Sequence, residues 1–379
     1  MSVEYVPGLA GVPATRSKIG FIDGQQGRLM YRGYPIFALA EHSSYEEVAY
    51  LLLRGRLPQE AELQDFIGQL RNHRRLKFRI IELLKQLPED GHPMDALAST
   101  LSAVGMFYPQ GIMDDPERRW GAALRILTKV PTIVAAFHRI RNGDEPVTPR
   151  DDLGHAANFL YMLTGKEPDS LVAKVMDVAM VLHAEHGMNA STFAARVTGS
   201  TLSDPYAVIS AAIATLAGPL HGGANEDVLD ELRSIPGGVA RVRAWATRAK
   251  EQKRKVAGFG HRVYKVKDPR AVILQKLAGQ VFEKFGNTPI YDIAVELETV
   301  MAELVGDKGV YPNVDFYSGI VYEKLQIPQD VFTPIFAIAR TAGWLAHWLE
   351  QLENNRIFRP SQIYEGDKDL EYVPIDNRS

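Results

Sequence analysis

The sequence predicts an all-α protein, and three observations predict it. Apolar residues recur at helical spacing along most of the 379 residues, the connections between those stretches are short and polar, and only one pair of segments alternates as strands do.

Each element follows from local chemistry, in order. Segments 19–23 and 28–32, joined by a glycine-containing connection, read as a small hairpin. Ser44 followed by Glu47 makes a capping box, with Val48, Leu51 and Leu52 on one face of the helix it opens. Pro58 reads as the first-turn proline of the next helix, whose apolar face is Leu63, Phe66, Ile67 and Leu70. Further helices are expected at 78–87, 93–104, 116–140, 151–163 and 170–185, and then at 205–217, 225–232, 239–250, 269–285, 291–305, 316–325 and 329–353. Gly222-Gly223 and segment 306–312 read as hinges or domain edges. The longest apolar stretch, 207–220, is interrupted by Ser210, Thr215 and Pro219 and is too short to span a bilayer, so it reads as a buried core helix. The first twenty residues lack a basic segment followed by an apolar one, so no secretory signal is expected.

Composition narrows the function classes. The length allows roughly two or three domains. A chain that is 46% hydrophobic and 23% charged with a net charge of −3 has no general attraction for nucleic acid or anionic membrane. There is no cysteine, which excludes disulfides, thiolate zinc sites, iron–sulfur clusters and thiol nucleophiles; a cytoplasmic location is the expectation.

Four stretches carry chemistry. In KRKVAGFGHRVYKVKDPR, His261 follows a Gly258-Phe259-Gly260 turn and lies among Lys253, Arg254, Lys255, Arg262, Lys265, Lys267 and Arg270. Glycine lets backbone approach a ligand closely, so the run suits a polyanion site beside a reactive imidazole; alone, such a run is ordinarily a solvated face. In HAEHGMNAS, His183 and His186 fall on neighbouring positions of one helical face. The spacing lacks the third ligand and activating acid of a zinc site, so an anion-binding histidine near a helix end is preferred. His221, in GPLHGGAN, stands just before a helix for which Asn225 is the expected cap, where exposed N–H groups disfavour imidazolium. A neutral ring there can donate to a developing oxyanion; the plain alternative is a histidine satisfying loop carbonyls. Asp315, in YPNVDFYSG, is either a helix cap or a partly desolvated base between Val314 and Phe316. Finally, Arg340 has only Phe336, Ala337, Gly343 and Trp344 as helical neighbours, so its charge needs a carboxylate from elsewhere, protein or ligand. Two histidines, one carboxylate base and several arginines suit proton abstraction beside a carbonyl followed by condensation with an anionic electrophile.

The stretches LHAEHGMNAS, GPLHGGAN, GFGHRVYKVKDPR, NVDFYSG and RIFRPSQIYEG, in this order, resemble the citrate synthase family, especially its compact bacterial and archaeal branch. The resemblance runs from about Lys18 to Gly366. It implies that Asp315 deprotonates the methyl group of acetyl-CoA, that His221 supports the resulting enol, and that His261 polarises the ketone of oxaloacetate. It assigns His186, Arg270 and Arg340 to oxaloacetate, with Arg359 supplied by the other subunit of a homodimer. CoA would lie against Lys250, Arg254, Lys255, Val256, Ala257, Gly258, Phe259, Gly260 and Lys265. A large domain of 1–221 with 327–379 and a small domain of 222–326 are implied, with no metal and no cofactor beyond the substrates. Three alternatives stand beside this reading: 2-methylcitrate synthase, which takes propionyl-CoA; a metal-dependent hydrolase built on His183, His186 and His221; and a non-catalytic helical scaffold that binds nucleotide or RNA.

Overall fold

The computed structural model describes residues 5–108, 113 and 115–378, with 224 and 225 described in backbone only. Among these are sixteen α-helices and one three-stranded antiparallel sheet, so the all-α expectation holds. Strands β1 (Gly20–Asp23) and β2 (Arg28–Tyr31) pair with Gly20 opposite Tyr31 and Asp23 opposite Arg28. Arg32 and Gly33, both at positive φ, then turn the chain into β3 (Tyr34–Pro35), a short strand absent from the sequence reading.

The first eight helices are α1 (Ile36–His42), α2 (Tyr45–Arg54), α3 (Glu60–His73), α4 (Phe78–Leu84), α5 (Pro93–Gly105), α6 (Pro116–Arg141), α7 (His155–Thr164) and α8 (Ser170–His183). The remainder are α9 (Ala190–Ser200), α10 (Pro205–Leu216), α11 (Ala224–Arg233), α12 (Val242–Glu251), α13 (Pro269–Phe285), α14 (Pro289–Val305), α15 (Val314–Lys324) and α16 (Phe332–Glu353).

Local signals explain most boundaries. Ser44 accepts the Glu47 amide and opens α2 as expected. Pro58, however, stands outside α3, because Gln59 and Glu62 form the capping box one residue later. Helix α11 opens at Ala224 with Gly223 at the cap, so Asn225 sits inside the first turn rather than at its edge, and its side chain lies outside the described residues. Gly222 is closely packed: a Cβ there would lie 2.5 Å from Leu216 Cδ1 and 2.8 Å from Leu216 O. Helices α1 and α9 went unread in the sequence, although Asn189, which accepts the Thr192 amide, is an ordinary cap signal for α9.

Helix α16 is the axis of the fold. It is buried nearly all round and packs against α2, α6, α8, α9, α10 and α11. Helix α6 has the length and apolarity to cross a membrane, but its middle is buried among these helices and carries Pro131 inside the core. Helices α11 to α15 pack chiefly on one another, α13 against α15 and α12 against α14, while a continuous apolar cluster joins them to the remainder.

Candidate active site

The site is built where α8 ends against the middle of α16. The last carbonyls of a helix lack partners within it, and here those of residues 181–184 are met from the surrounding framework. Tyr31 from β2 donates to Val181 O and Leu182 O at 3.1 Å each, Arg340 Nε donates to His183 O at 2.6 Å, and the Gly343 amide reaches Ala184 O at 3.1 Å. Only glycine permits that approach, since a Cβ at 343 would stand 2.3 Å from Ala184 O.

Because α8 stops at His183, the two histidines of HAEH are not on one helical face. His183 bonds Ala179 O through Nδ1 at 2.7 Å, whereas His186 lies beyond the helix end, with Nε2 3.1 Å from the Tyr264 hydroxyl. Arg340 is buried, and Nε is the one guanidinium atom with a protein hydrogen bond among the described residues. Burial pulls it down to about 10, which leaves it a cation at neutral pH.

A backbone bridge brings two distant motifs together. Gly258 and Gly260, both at positive φ, form a turn that pairs with segment 311–313: the Gly260 amide donates to Tyr311 O at 2.8 Å and the Asn313 amide to Gly258 O at 2.9 Å. Asn313 then closes both sides, Nδ2 donating to Gly260 O at 3.0 Å and Oδ1 accepting the Asp315 amide at 3.0 Å. Asn313 is therefore the cap of α15, and Asp315 is relieved of that role. Its Oδ1 is buried and has no hydrogen-bond partner among the described residues, and burial raises the carboxyl to about 6 against the opposing Arg270 charge.

His261 Nδ1 accepts the amides of Val263 at 3.0 Å and Tyr264 at 3.2 Å. A ring nitrogen that receives two N–H groups carries no proton, so neutral His261 is a donor through Nε2. Its ring stands edge-on to that of His186, with centroids 5.2 Å apart. Burial, with the Arg270 charge, lowers His261 to about 4 and puts His186 well below the ordinary range. Arg270 itself is clamped by Asp268, which accepts Nε at 3.1 Å and Nη2 at 2.7 Å. Burial opposes the Arg270 charge, and the carboxylate more than offsets that, so its pKa lies above the ordinary value.

His221 is set by the start of α9. Its Nε2 receives the Ser191 amide at 3.3 Å and lies 2.9 Å from Ser191 Oγ, which also accepts Trp344 Nε1 at 3.1 Å. A backbone N–H can only donate, so the proton of neutral His221 sits on Nδ1. Burial first and Arg340 second, rather than the helix terminus invoked from sequence, lower it to about 4. Among the described residues no hydrogen bond joins Asp315, His221 and His261 directly. The charges of Arg270 and Arg340 act on Asp315 and His186 together, Arg270 also on His261 and Arg340 also on His221. The arrangement offers two fixed N–H donors, one raised carboxyl base and two cations for an anionic substrate.

The remaining candidates divide. Lys250, Lys255 and Lys265 are exposed and make no ion pair among the described residues. Arg254 is engaged, its Nη2 2.7 Å from Glu231 Oε1 and its guanidinium over the Trp245 ring. Val256 is buried beneath a turn in which the Phe259 amide returns to Val256 O at 3.2 Å, with Ala257 half-buried between them. Arg359 is exposed and lies outside this cluster, next to Phe358, whose amide bonds Ser200 Oγ.

Sequence reading missed the support behind these groups. Glu185 is fully buried, accepts His347 Nε2 at 3.1 Å and continues through His347 Nδ1 to Arg196, which pairs with Glu350. Burial alone would raise Glu185, but His347 and Arg340 hold it below the ordinary carboxylate range. The HAEH stretch named Glu185 without a partner, because His347 and Arg196 are far away in the chain. No three His, Asp or Glu side chains converge as metal ligands among the described residues, and His183, His186 and His221 are each committed elsewhere.

Comparison with known proteins accords with this geometry. The family described as "Citrate synthase, C-terminal domain" matches residues 8–361. A protein of Synechocystis sp. named citrate synthase is 59% identical over 374 residues, covering 99% of this chain and 94% of its own. The crystal structure of citrate synthase from Pyrobaculum aerophilum superposes with a TM-score of 0.93 at 44% identity, over 98% of this chain and 95% of that one. The structure of the ternary complex of carboxymethyl coenzyme A and oxaloacetate with citrate synthase from the thermophilic archaeon Thermoplasma acidophilum gives a TM-score of 0.93 at 32% identity, over 99% of this chain and 100% of that one. With this coverage and identity, the chain belongs to the citrate synthase family of transferases.

Proposed function

We propose that the chain condenses acetyl-CoA with oxaloacetate and water to give citrate and CoA. The observation that carries this reading is Asp315: a carboxyl raised to about 6, with a buried oxygen that has no hydrogen-bond partner among the described residues, on a helix start whose cap is bonded to the turn bearing His261. At neutral pH this carboxylate is ionised and a stronger base than an exposed aspartate, as removal of a methyl proton from the thioester requires.

In this reading His221 Nδ1–H donates to the thioester oxygen as Asp315 takes the proton, and the enol carbon attacks the oxaloacetate ketone. The carbonyl π pair moves to oxygen, where His261 Nε2–H receives it, and water then cleaves citryl-CoA. Arg270, Arg340 and His186 hold the oxaloacetate carboxylates. The Gly258–Gly260 turn with Lys250, Lys255, Lys265 and a released Arg254 would meet CoA. Closure of 222–326 as a small domain over the remainder would exclude water from the enol. The packing of α11 to α15 on one another supports that division.

A homodimer completes the site, with Arg359 reaching the partner's oxaloacetate. Segment 354–378 supports this, because the stretch that carries Arg359 also leaves Ile357, Ile363, Tyr364, Leu370 and Tyr372 exposed. This reading puts the chain in the tricarboxylic acid cycle and in the cytoplasm. A thiol-release assay with oxaloacetate and either acetyl-CoA or propionyl-CoA tests the reading. One methylene is worth about 1–3 kcal/mol in an apolar pocket, so kcat/KM should favour acetyl-CoA by about 10-fold or more. A preference for propionyl-CoA would assign the chain to methylcitrate synthesis, and no thiol release with either would overturn the function.

A further inference from the structure

The hairpin turn between β1 and β2 has no part in the reaction just described, yet it presses on the backbone that aims His261. Gly24 O accepts the Lys265 amide at 2.9 Å, and a Cβ on Gly24 would stand only 2.1 Å from Val263 O. Gly27 makes the same kind of approach, where a Cβ would meet Val266 Cγ2 at 2.9 Å. Asp23 Oδ1 stiffens the turn by accepting the Gln25 and Gln26 amides at 3.0 Å each. The backbone held in this way, 263–265, is the one whose amides at Val263 and Tyr264 fill His261 Nδ1.

The same hairpin touches the other half of the oxaloacetate site. A Cβ on Gly20 would lie 2.8 Å from Glu185 Oε1, and Tyr31 caps the end of α8 from which His186 follows. One hairpin thus meets both stretches that bring His186 and His261 edge to edge, its strands on the side of His186 and its turn on the side of His261.

We propose that the 24–27 turn is a positioning element for the condensation: by seating against Val263 and Val266 it directs the His261 Nε2–H at the substrate ketone, and glycine at 24 and 27 is what admits that seat. The proposal rests on His261 being the ketone donor. A hydrogen-bond donor misplaced by about 1 Å loses on the order of 10²-fold in rate, so small displacements of this loop are sufficient.

The test is Gly24→Ala in the full-length protein. Gly24 is not at positive φ, so alanine brings no backbone strain of its own and acts through the contact with Val263. The ¹³C resonance of the ketone carbon of labelled oxaloacetate bound without acyl-CoA reads the hydrogen bond directly, and kcat and KM are measured beside it. The expected result is a ketone resonance displaced toward that of free oxaloacetate and a kcat lowered by about 10-fold or more, with a lowered melting temperature as the Val263 backbone gives way; the resonance is the readout that a loss of stability alone would not move. An unchanged resonance overturns the proposal. His261→Ala is run in parallel: if it too leaves the resonance unchanged, the donor assignment fails, whereas a shift in His261→Ala alone rejects only the role of the turn. Should Gly24→Ala not fold, Gly27→Ala is compared with Gly27→Ala/Val266→Ala, which share the strain at positive φ and differ in the contact. Recovery of kcat and resonance in the double variant supports the seat, and equal loss in both rejects it.

Discussion

Replacing Asp315 with asparagine should cost activity and add stability, and both magnitudes follow from one property. The folded carboxyl titrates at about 6 against an ordinary 3.8, so between those values the folded state binds more protons than the unfolded one. Stability therefore falls as pH rises through this window and stays lowered above it. A difference of about two pH units corresponds to about 3 kcal/mol, and partial access of the group to solvent reduces this to about 1–3 kcal/mol. Asparagine keeps the shape and carries no charge, so Asp315→Asn should gain that amount at pH 8, about 1–4 °C in Tm for a chain of this size. Linkage makes the gain shrink to about half at pH 5, where the native aspartate is already mostly protonated in the folded state. Turnover should fall by about 10²–10⁴, because an asparagine amide cannot take the methyl proton. Differential scanning calorimetry at pH 5 and pH 8, beside the thiol-release rate, checks both halves. A variant that keeps near-normal turnover, or one destabilised equally at both pH values, would show that Asp315 is neither a strained buried base nor the group that removes the proton.

The pH profile of the parent should show a single-proton acid limb centred near pH 6, since His221 and His261, both near 4, are already neutral throughout it; a slope of two or more would mean an imidazole titrates there as well. Gly343→Ala places a Cβ 2.3 Å from Ala184 O, so it should lower stability by about 1–3 kcal/mol and raise the oxaloacetate KM as Arg340 shifts off His183 O, measured by thermal melts and steady-state kinetics. Mixing inactive Arg359→Ala and His261→Ala chains should restore part of the activity in mixed dimers, and absence of rescue would place Arg359 outside the partner's site. Arg196→Met removes one member of a buried charged chain and should destabilise by about 3–5 kcal/mol through the Glu350 left behind, read by denaturant unfolding.

Periodicity and caps were enough to determine the class of this fold. Ser44 before Glu47, Pro at 93, 116, 205 and 269, and the apolar spacing between them mark helices through purely local interactions, which is why those elements were legible before any packing was known. The reactive side chains were legible for a different reason. Taken singly, His261, Asp315 and His221 each admit an ordinary reading, a solvated basic face, a helix cap and a loop histidine; what made them legible was their occurrence together, with Arg340 lacking an acidic helical neighbour.

What the chain order could not contain was which nitrogen, which cap and which partner. Asn313 rather than Asp315 caps α15 because Asn313 is also bonded to Gly260, some fifty residues earlier, and that long-range bond is what leaves the acid free. The proton of His261 is on Nε2 because the Val263 and Tyr264 amides fill Nδ1, and the proton of His221 is on Nδ1 because Ser191, on a helix the sequence reading missed, fills Nε2. Glu185 finds His347 only once α8 and α16 are packed. Local free energies are written in neighbouring letters, whereas tautomers, desolvation and charge pairing depend on groups brought together by burial, so they come into being only when the tertiary structure closes around them.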